Sequence, residues 1–195
     1  VVQAILGGIL LPLMMVVFTR RAFPQKEKLA LLAAALSAVY FYFILYAATL
    51  MTETFYIVAV LFSLERALAL VERPTLKRGL MLGIGLGLAT LLRQSILPWV
   101  AVLTVWLCWA GWRTGNARRM IAASGAALGV LALSLLPFTL RNYQVYGTFL
   151  LLNSNAGYAL YSSQHPMHGT DFREFDAAPL PADLHGSNEA EWDHD

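Results

Sequence analysis

Charge is scarce in this chain, cysteine is nearly absent, and acidic residues are almost missing outside its last stretch. Of 195 residues, 13% are charged and 58% are hydrophobic, whereas an ordinary soluble domain is roughly one-quarter charged. That shortfall excludes the ordinary soluble class and points to a membrane protein. The one cysteine, Cys108, cannot form an internal disulfide, so redox chemistry does not indicate a compartment; it reads as a small core residue. Of twelve acidic residues, only Glu27, Glu53, Glu65 and Glu72 come before a group of eight between Asp171 and Asp195. There is no Walker loop, dinucleotide fingerprint, Cys–His metal pattern or nucleophile elbow. The glycines from Gly79 to Gly87 lie in an apolar run without the lysine a phosphate loop needs. Nucleotide-driven chemistry is therefore not expected within the chain, and neither is nucleic acid as a partner. Val1 to Thr19 has neither a basic leading region nor a small-residue cleavage pattern, and Arg20-Arg21 follow it, so it reads as the tail of a spanning helix. Val1 opens inside an apolar run and Glu191 to Asp195 carry no stop signal, so both ends read as truncated and a larger functional unit is expected.

What is present is a series of apolar segments: Val1–Thr19, Leu29–Leu50, Phe55–Val71, Gly79–Leu97, Pro98–Trp112 and Met120–Leu140. Most approach the roughly 20 residues that cross hydrocarbon. The expected fold is all-α, a polytopic transmembrane bundle of five or six helices over residues 1–141, with an outward-facing segment over 142–195. Ten of the fourteen Lys and Arg fall in three connectors, Arg20–Lys28, Arg73–Arg78 and Arg113–Arg119. The positive-inside rule places these in the cytoplasm, which turns Met51–Thr54 and everything after Leu140 outward. The expected location is thus the cell inner membrane, multi-pass, with an extracytoplasmic C-terminal segment. Between Arg78 and Arg113 only 34 residues go out and return, fewer than the more than about 40 that two full spans and a turn require. The turn at Leu92–Pro98 is therefore expected at or below the outer interface, with Pro98 starting the returning helix. Gly79, Gly83, Gly85 and Gly87 are expected to leave one helix face bare for close packing. Beyond Leu140, Thr148–Leu152 reads as a short strand, and the last twenty or so residues show no apolar period.

Few residues in the apolar part could carry chemistry. Glu53 follows Thr52, a residue suited to cap the helix beginning near Phe55. It is either a first-turn carboxylate favoured by the helix dipole or a group facing an outer cavity, where it could orient a sugar hydroxyl or hold a cation. Arg93 is costly below the outer surface unless it snorkels or meets water, protein or an anion; phosphate suits its planar fork. Arg141 reads as an anchor at a helix end. Glu65 with Arg66, and Glu72 with Arg73 one heptad on, read as structural ion pairs. His165 and His168 are a weak metal hypothesis, since Pro166 opposes the helix that would align them. Tyr40, Tyr42, Tyr46 and Tyr56 fit an interfacial belt or core.

Four stretches, taken in order, resemble a known family. They are Met51-Thr52-Glu53-Thr54-Phe55; the Gly-rich run Gly83 to Arg93; Leu136-Pro137-Phe138-Thr139-Leu140-Arg141-Asn142-Tyr143; and Leu152-Asn153-Ser154-Asn155-Ala156-Gly157-Tyr158 continuing to Thr170. Together they resemble GT-C-type membrane glycosyltransferases of glycosyltransferase family 39, the relatives of protein O-mannosyltransferases and aminoarabinose transferases. The resemblance runs from about Ala4 to Phe172. It implies transfer of a sugar from a polyprenyl-phosphate donor to an acceptor lipid, glycan or protein on the outer face of the bilayer. It also implies that the catalytic aspartate lies upstream, so no catalytic residue is expected in this chain. Substrate-binding roles follow for Glu53 at the sugar, Arg93 at the donor phosphate, Arg141 and Asn142 at the cavity rim, and Asn155, Tyr158 and His165 in the overlying segment. No cofactor is firmly implied; a divalent cation near Glu53 is left open. The alternative is a transporter or flippase of an anionic lipid or lipid-linked sugar, for which a submerged arginine beside small-residue helices would also serve. No inverted repeat of the hydropathy pattern supports it. A non-catalytic membrane scaffold is the third reading.

Overall fold

A computed structural model describes residues 2–49, 51–147 and 149–152. Among these the chain is helical throughout, with no strand: α1 (Val2–Ala22), α2 (Glu27–Val39), α3 (Phe41–Ala48), α4 (Glu53–Glu72), α5 (Leu76–Leu92), a 3-10 turn (Gln94–Ile96), α6 (Leu97–Arg113) and α7 (Ala117–Tyr146). The chain divides into two compact units, residues 1–135 and 136–195. Four helical stretches among the described residues are long and apolar enough to cross a membrane, namely Val2–Ala22, Glu53–Glu72, Gln94–Arg113 and Ala117–Tyr146. The bent pair α2–α3 makes a fifth if counted as one span.

In the first unit α4 is central, packing on α1, α3, α5 and α6. It buries Ala59, Leu61, Ser63, Glu65, Ala67, Ala69 and Leu70, whereas α1 buries only Gly7, Leu11 and Thr19. Helix direction alternates as the connectors predict. At one end Arg20 pairs with Glu27, Arg21 reaches Glu65 and Glu72, and Arg78 donates to the Ala69 carbonyl. At the other, Gln3 Nε2 donates to the Met51 carbonyl at 3.2 Å, and Arg93 meets Glu53.

The short hairpin has a clear local cause. Thr75 caps α5, its hydroxyl accepting from the Arg78 N–H at 3.4 Å. The 17 residues of α5 rise about 26 Å, just under the hydrocarbon thickness of a bilayer. Pro98 sits in the first turn of α6, where its missing N–H is harmless. A Schellman motif ends α6: the Asn116 N–H bonds the Gly111 carbonyl at 2.9 Å and the Gly115 N–H bonds that of Trp112 at 3.2 Å. Gly115 holds the left-handed conformation this needs, with φ 71°. Gly115→Ala is expected to lower stability by about 1 kcal/mol, read as an earlier unfolding midpoint; an unchanged midpoint would show that the motif does not contribute.

Glycine shapes both faces of α5. An added Cβ on Gly83 would lie 2.7 Å from Val130 Cβ, and one on Gly87 would lie 2.7 Å from Ser134 Oγ, while Gly79 abuts the Ala123 backbone; all three face α7. Gly85 instead faces α4, where a Cβ would meet Ser63 Oγ at 2.6 Å. The expected single bare face is thus two faces, because Gly85 lies roughly 200° around the helix from Gly83. Hydroxyls on these three helices bond their own helix: Ser63 to the Ala59 carbonyl at 2.8 Å, Thr90 to that of Leu86 at 2.7 Å and half-buried Ser134 to that of Val130 at 2.9 Å. That satisfies them without water.

Three expectations need correction. The segment Leu29–Leu50 is not one straight helix but breaks at Tyr40, with φ −70° and ψ 120° and a 55° bend. The run Val39-Tyr40-Phe41-Tyr42-Phe43-Ile44 consists of β-branched and aromatic residues, which lose rotamer freedom in a helix. The rings of Tyr40 and Phe43 then stack edge-on at 4.9 Å. Thr52 stands at the N-cap of α4, but its backbone is already helical and its side chain makes no cap bond. Finally, residues 149–152 form no strand; side chains of α7 take up their carbonyls instead.

Candidate functional site

Two residues singled out separately in the sequence, Glu53 and Arg93, form an ion pair between Arg93 Nη2 and Glu53 Oε1. The first turn of α4 presents the carboxylate. Arg93 follows the last residue of α5 in extended backbone, φ −150° and ψ 112°, which turns its side chain away from the helix path. The Glu53 side chain is 20% exposed and that of Arg93 47%, so the pair is sheltered on the carboxylate side and open on the guanidinium side. Glu53 Oε2 is buried with no hydrogen-bond partner among the described residues, and so is Oγ1 of neighbouring Thr54. A buried polar atom left unpaired is unfavourable. The carboxylate therefore has one oxygen that a hydroxyl could satisfy, and the guanidinium has further N–H groups to offer an anion. Thr54 was not singled out in the sequence, where it looks like one more residue at a helix start.

Glu53 has one open oxygen, with a guanidinium on the other, and no group of three or more His, Cys, Asp or Glu suited to a metal occurs among the described residues.

In the second unit Arg141 is exposed on α7. Asn142 is 6% exposed and its Nδ2 donates to the carbonyls of Leu150 at 3.3 Å and Leu152 at 3.2 Å. Thr139 Oγ1 donates to the Leu151 carbonyl at 2.9 Å. These bonds fold residues 149–152 back along the end of α7, so the Asn142 amide serves a backbone return in this structure. Asn155, Tyr158, His165 and His168 lie outside the described residues.

At the opposite end of α4, Glu65 is 1% exposed and takes Arg21 Nη2 at 3.0 Å on Oε1 and Arg66 Nε on Oε2. Arg21 also reaches Glu72 at 2.7 Å, and Arg78 lies 4.0 Å from the same carboxylate. The expected ion pairing of Glu65 with Arg66 is present, but Glu72 is held by Arg21 of α1 rather than by Arg73. Sequence reasoning treated Arg21 only as a charge that sets orientation. Its position at the end of an apolar run, level with two carboxylates elsewhere, is visible only once α1 and α4 lie side by side. Comparison with family models, with curated proteins and with solved structures finds no match to this chain.

Proposed function

We propose that the chain is the membrane-embedded part of a GT-C-type glycosyltransferase, acting at the outer face of a cell inner membrane on a polyprenyl-phosphate-linked sugar. The embedding is supported by large apolar side chains left on the surface of several helices, such as Ile5, Ile9 and Leu13 on α1 and Val102, Val105 and Trp109 on α6. Lipid accommodates such a surface and water does not. The observation that carries the transferase reading is the meeting of Glu53 and Arg93, forty positions apart in sequence, at the end of the bundle away from the basic connectors.

On this reading Arg93 donates to the phosphate of the donor and Glu53 Oε2 accepts from a sugar hydroxyl. The acceptor oxygen bonds to the anomeric carbon as the bond from that carbon to the phosphate oxygen breaks. A carboxylate outside this chain takes the acceptor proton, and the lipid phosphate leaves with its charge met by Arg93. The test is transfer of labelled sugar from polyprenyl phosphate in membranes carrying the protein together with whatever flanks it in nature. Arg93→Ala is expected to lower transfer by at least about tenfold with insertion unchanged. Full transfer by that variant would remove Arg93 from the site. The broken span α2–α3 favours a second reading, a transporter of an anionic lipid, since transporters use interrupted helices at their binding sites. Lipid movement across vesicles in the absence of any sugar transfer would select it.

A further inference from the structure

A cleft of about 450 Å3 opens between the end of α1 and the last turns of α4, lined by Arg20, Arg21, Glu65, Arg66 and Glu72. It is distinct from the Glu53–Arg93 pair, because Glu65 stands twelve residues along α4 from Glu53, about 18 Å away at helical rise. Counting Glu27, which holds Arg20, and Arg78, which reaches Glu72, four guanidiniums meet three carboxylates in and around the cleft, leaving one positive charge in excess. The donors are also in excess. Arg66 gives Glu65 only its Nε–H, and its ring-like plane lies over Phe62 with Cζ 5.5 Å from the centroid. Both terminal nitrogens of Arg66 have no hydrogen-bond partner among the described residues, and neither does Arg20 Nη1, since Arg20 bonds Glu27 through Nε and Nη2. Buried Glu65 therefore acts as an orienting post. It grips Arg21 and Arg66 while leaving the free fork of Arg66 in the cleft. Glu72 opposes an incoming anion, but Arg21 and Arg78 already cover its charge.

We infer that this cleft binds a phosphate group, with Arg66 and Arg20 as its donors. A guanidinium fork matches two phosphate oxygens with parallel hydrogen bonds. If the helices span a bilayer, the cleft lies at the basic end, level with the headgroups, where pockets between helices take anionic lipids. The inference uses only this membrane half of the proposed function and is independent of sugar transfer, so loss of transfer leaves it standing.

The experiment is native mass spectrometry of the full protein in detergent, titrated with phosphatidylglycerol or with phosphatidylcholine, whose choline cancels the phosphate charge. Wild type is expected to favour phosphatidylglycerol by about tenfold. Arg66→Gln is expected to abolish the preference and Arg20→Gln to weaken it, while Arg119→Gln, an exposed arginine outside the cleft, leaves it intact. Arg20 lies on the surface, so its variant tests the cleft even if Arg66→Gln fails to fold. Competition with inorganic phosphate identifies the source: displacement of the lipid assigns the cleft to any phosphate anion, and retention assigns it to the lipid. No preference in wild type, a preference that survives both cleft variants, or one lost equally with Arg119→Gln would overturn the inference.

Discussion

Replacing Glu65 with alanine is expected to destabilise the protein by about 3–5 kcal/mol, more than any change at the open Glu53–Arg93 pair. Glu65 is the most sheltered charge in the ion-pair cluster, at 1% exposure, and it joins two guanidiniums from different helices. Removing it leaves Arg21 and Arg66 beside each other, each about 30% exposed, with like charges and no carboxylate between them. A buried pair is weak evidence of net stability, but removing one partner is strongly unfavourable, because the remaining charge stays where water reaches it poorly. Arg21 would keep Glu72, so the lower half of the range is the better expectation. Unfolding in mixed micelles, followed by the fluorescence of the Trp residues on α6, gives the number. Adding Arg66→Met to Glu65→Ala should restore part of the loss, since Arg66 has no other carboxylate partner among the described residues and its charge is the one left uncompensated. A loss below about 1 kcal/mol would mean that α1 is held to α4 by apolar packing alone.

How far the sequence reaches is clearest by comparing the α5–α6 hairpin with the α2–α3 bend. The hairpin follows from counting: 34 residues between two basic connectors, a proline at the return and glycines before it. So short a stretch between those connectors leaves little freedom there. No proline or glycine marks the bend at Tyr40; it depends on a run of aromatic and β-branched side chains whose effect is weak at each position. The same divide runs through the candidate site. Glu53 and Arg93 stood out individually because charge is rare in apolar helices. That they touch is a property of α4 and α5 packed antiparallel, which no local pattern encodes. Asn142 shows the reverse. Its neighbourhood resembles a family motif, yet its amide bonds the carbonyls of Leu150 and Leu152, eight and ten positions on. The path of residues 149–152 is set by those bonds rather than by any strand propensity of their own.

Gly83→Val is the second large effect, expected to cost about 3 kcal/mol or to prevent folding. A Cβ at position 83 would stand 2.5 Å from the Ala127 carbonyl oxygen and 2.7 Å from Val130 Cβ. The first of these is backbone, held in the hydrogen-bonded ladder of α7, so it cannot rotate aside as a long side chain would. Relief requires α5 and α7 to separate, and separation also loosens the contacts at Gly79 and Gly87, which share this face at spacings of four. On the membrane reading proposed above, no hydrophobic term between apolar helices in lipid compensates for lost closeness, since van der Waals packing is itself a main source of association. Gly125→Ala supplies the contrast: nothing lies within 4 Å of a Cβ built there, and alanine is the better helix former by about 1 kcal/mol. If close approach governs this bundle, Gly83→Val unfolds at a much lower denaturant concentration than wild type, while Gly125→Ala is unchanged or slightly more stable. Equal behaviour of the two variants would mean that the glycines of α5 are incidental to its packing, and that Leu82 and Leu86, both almost fully buried, hold the helix in place.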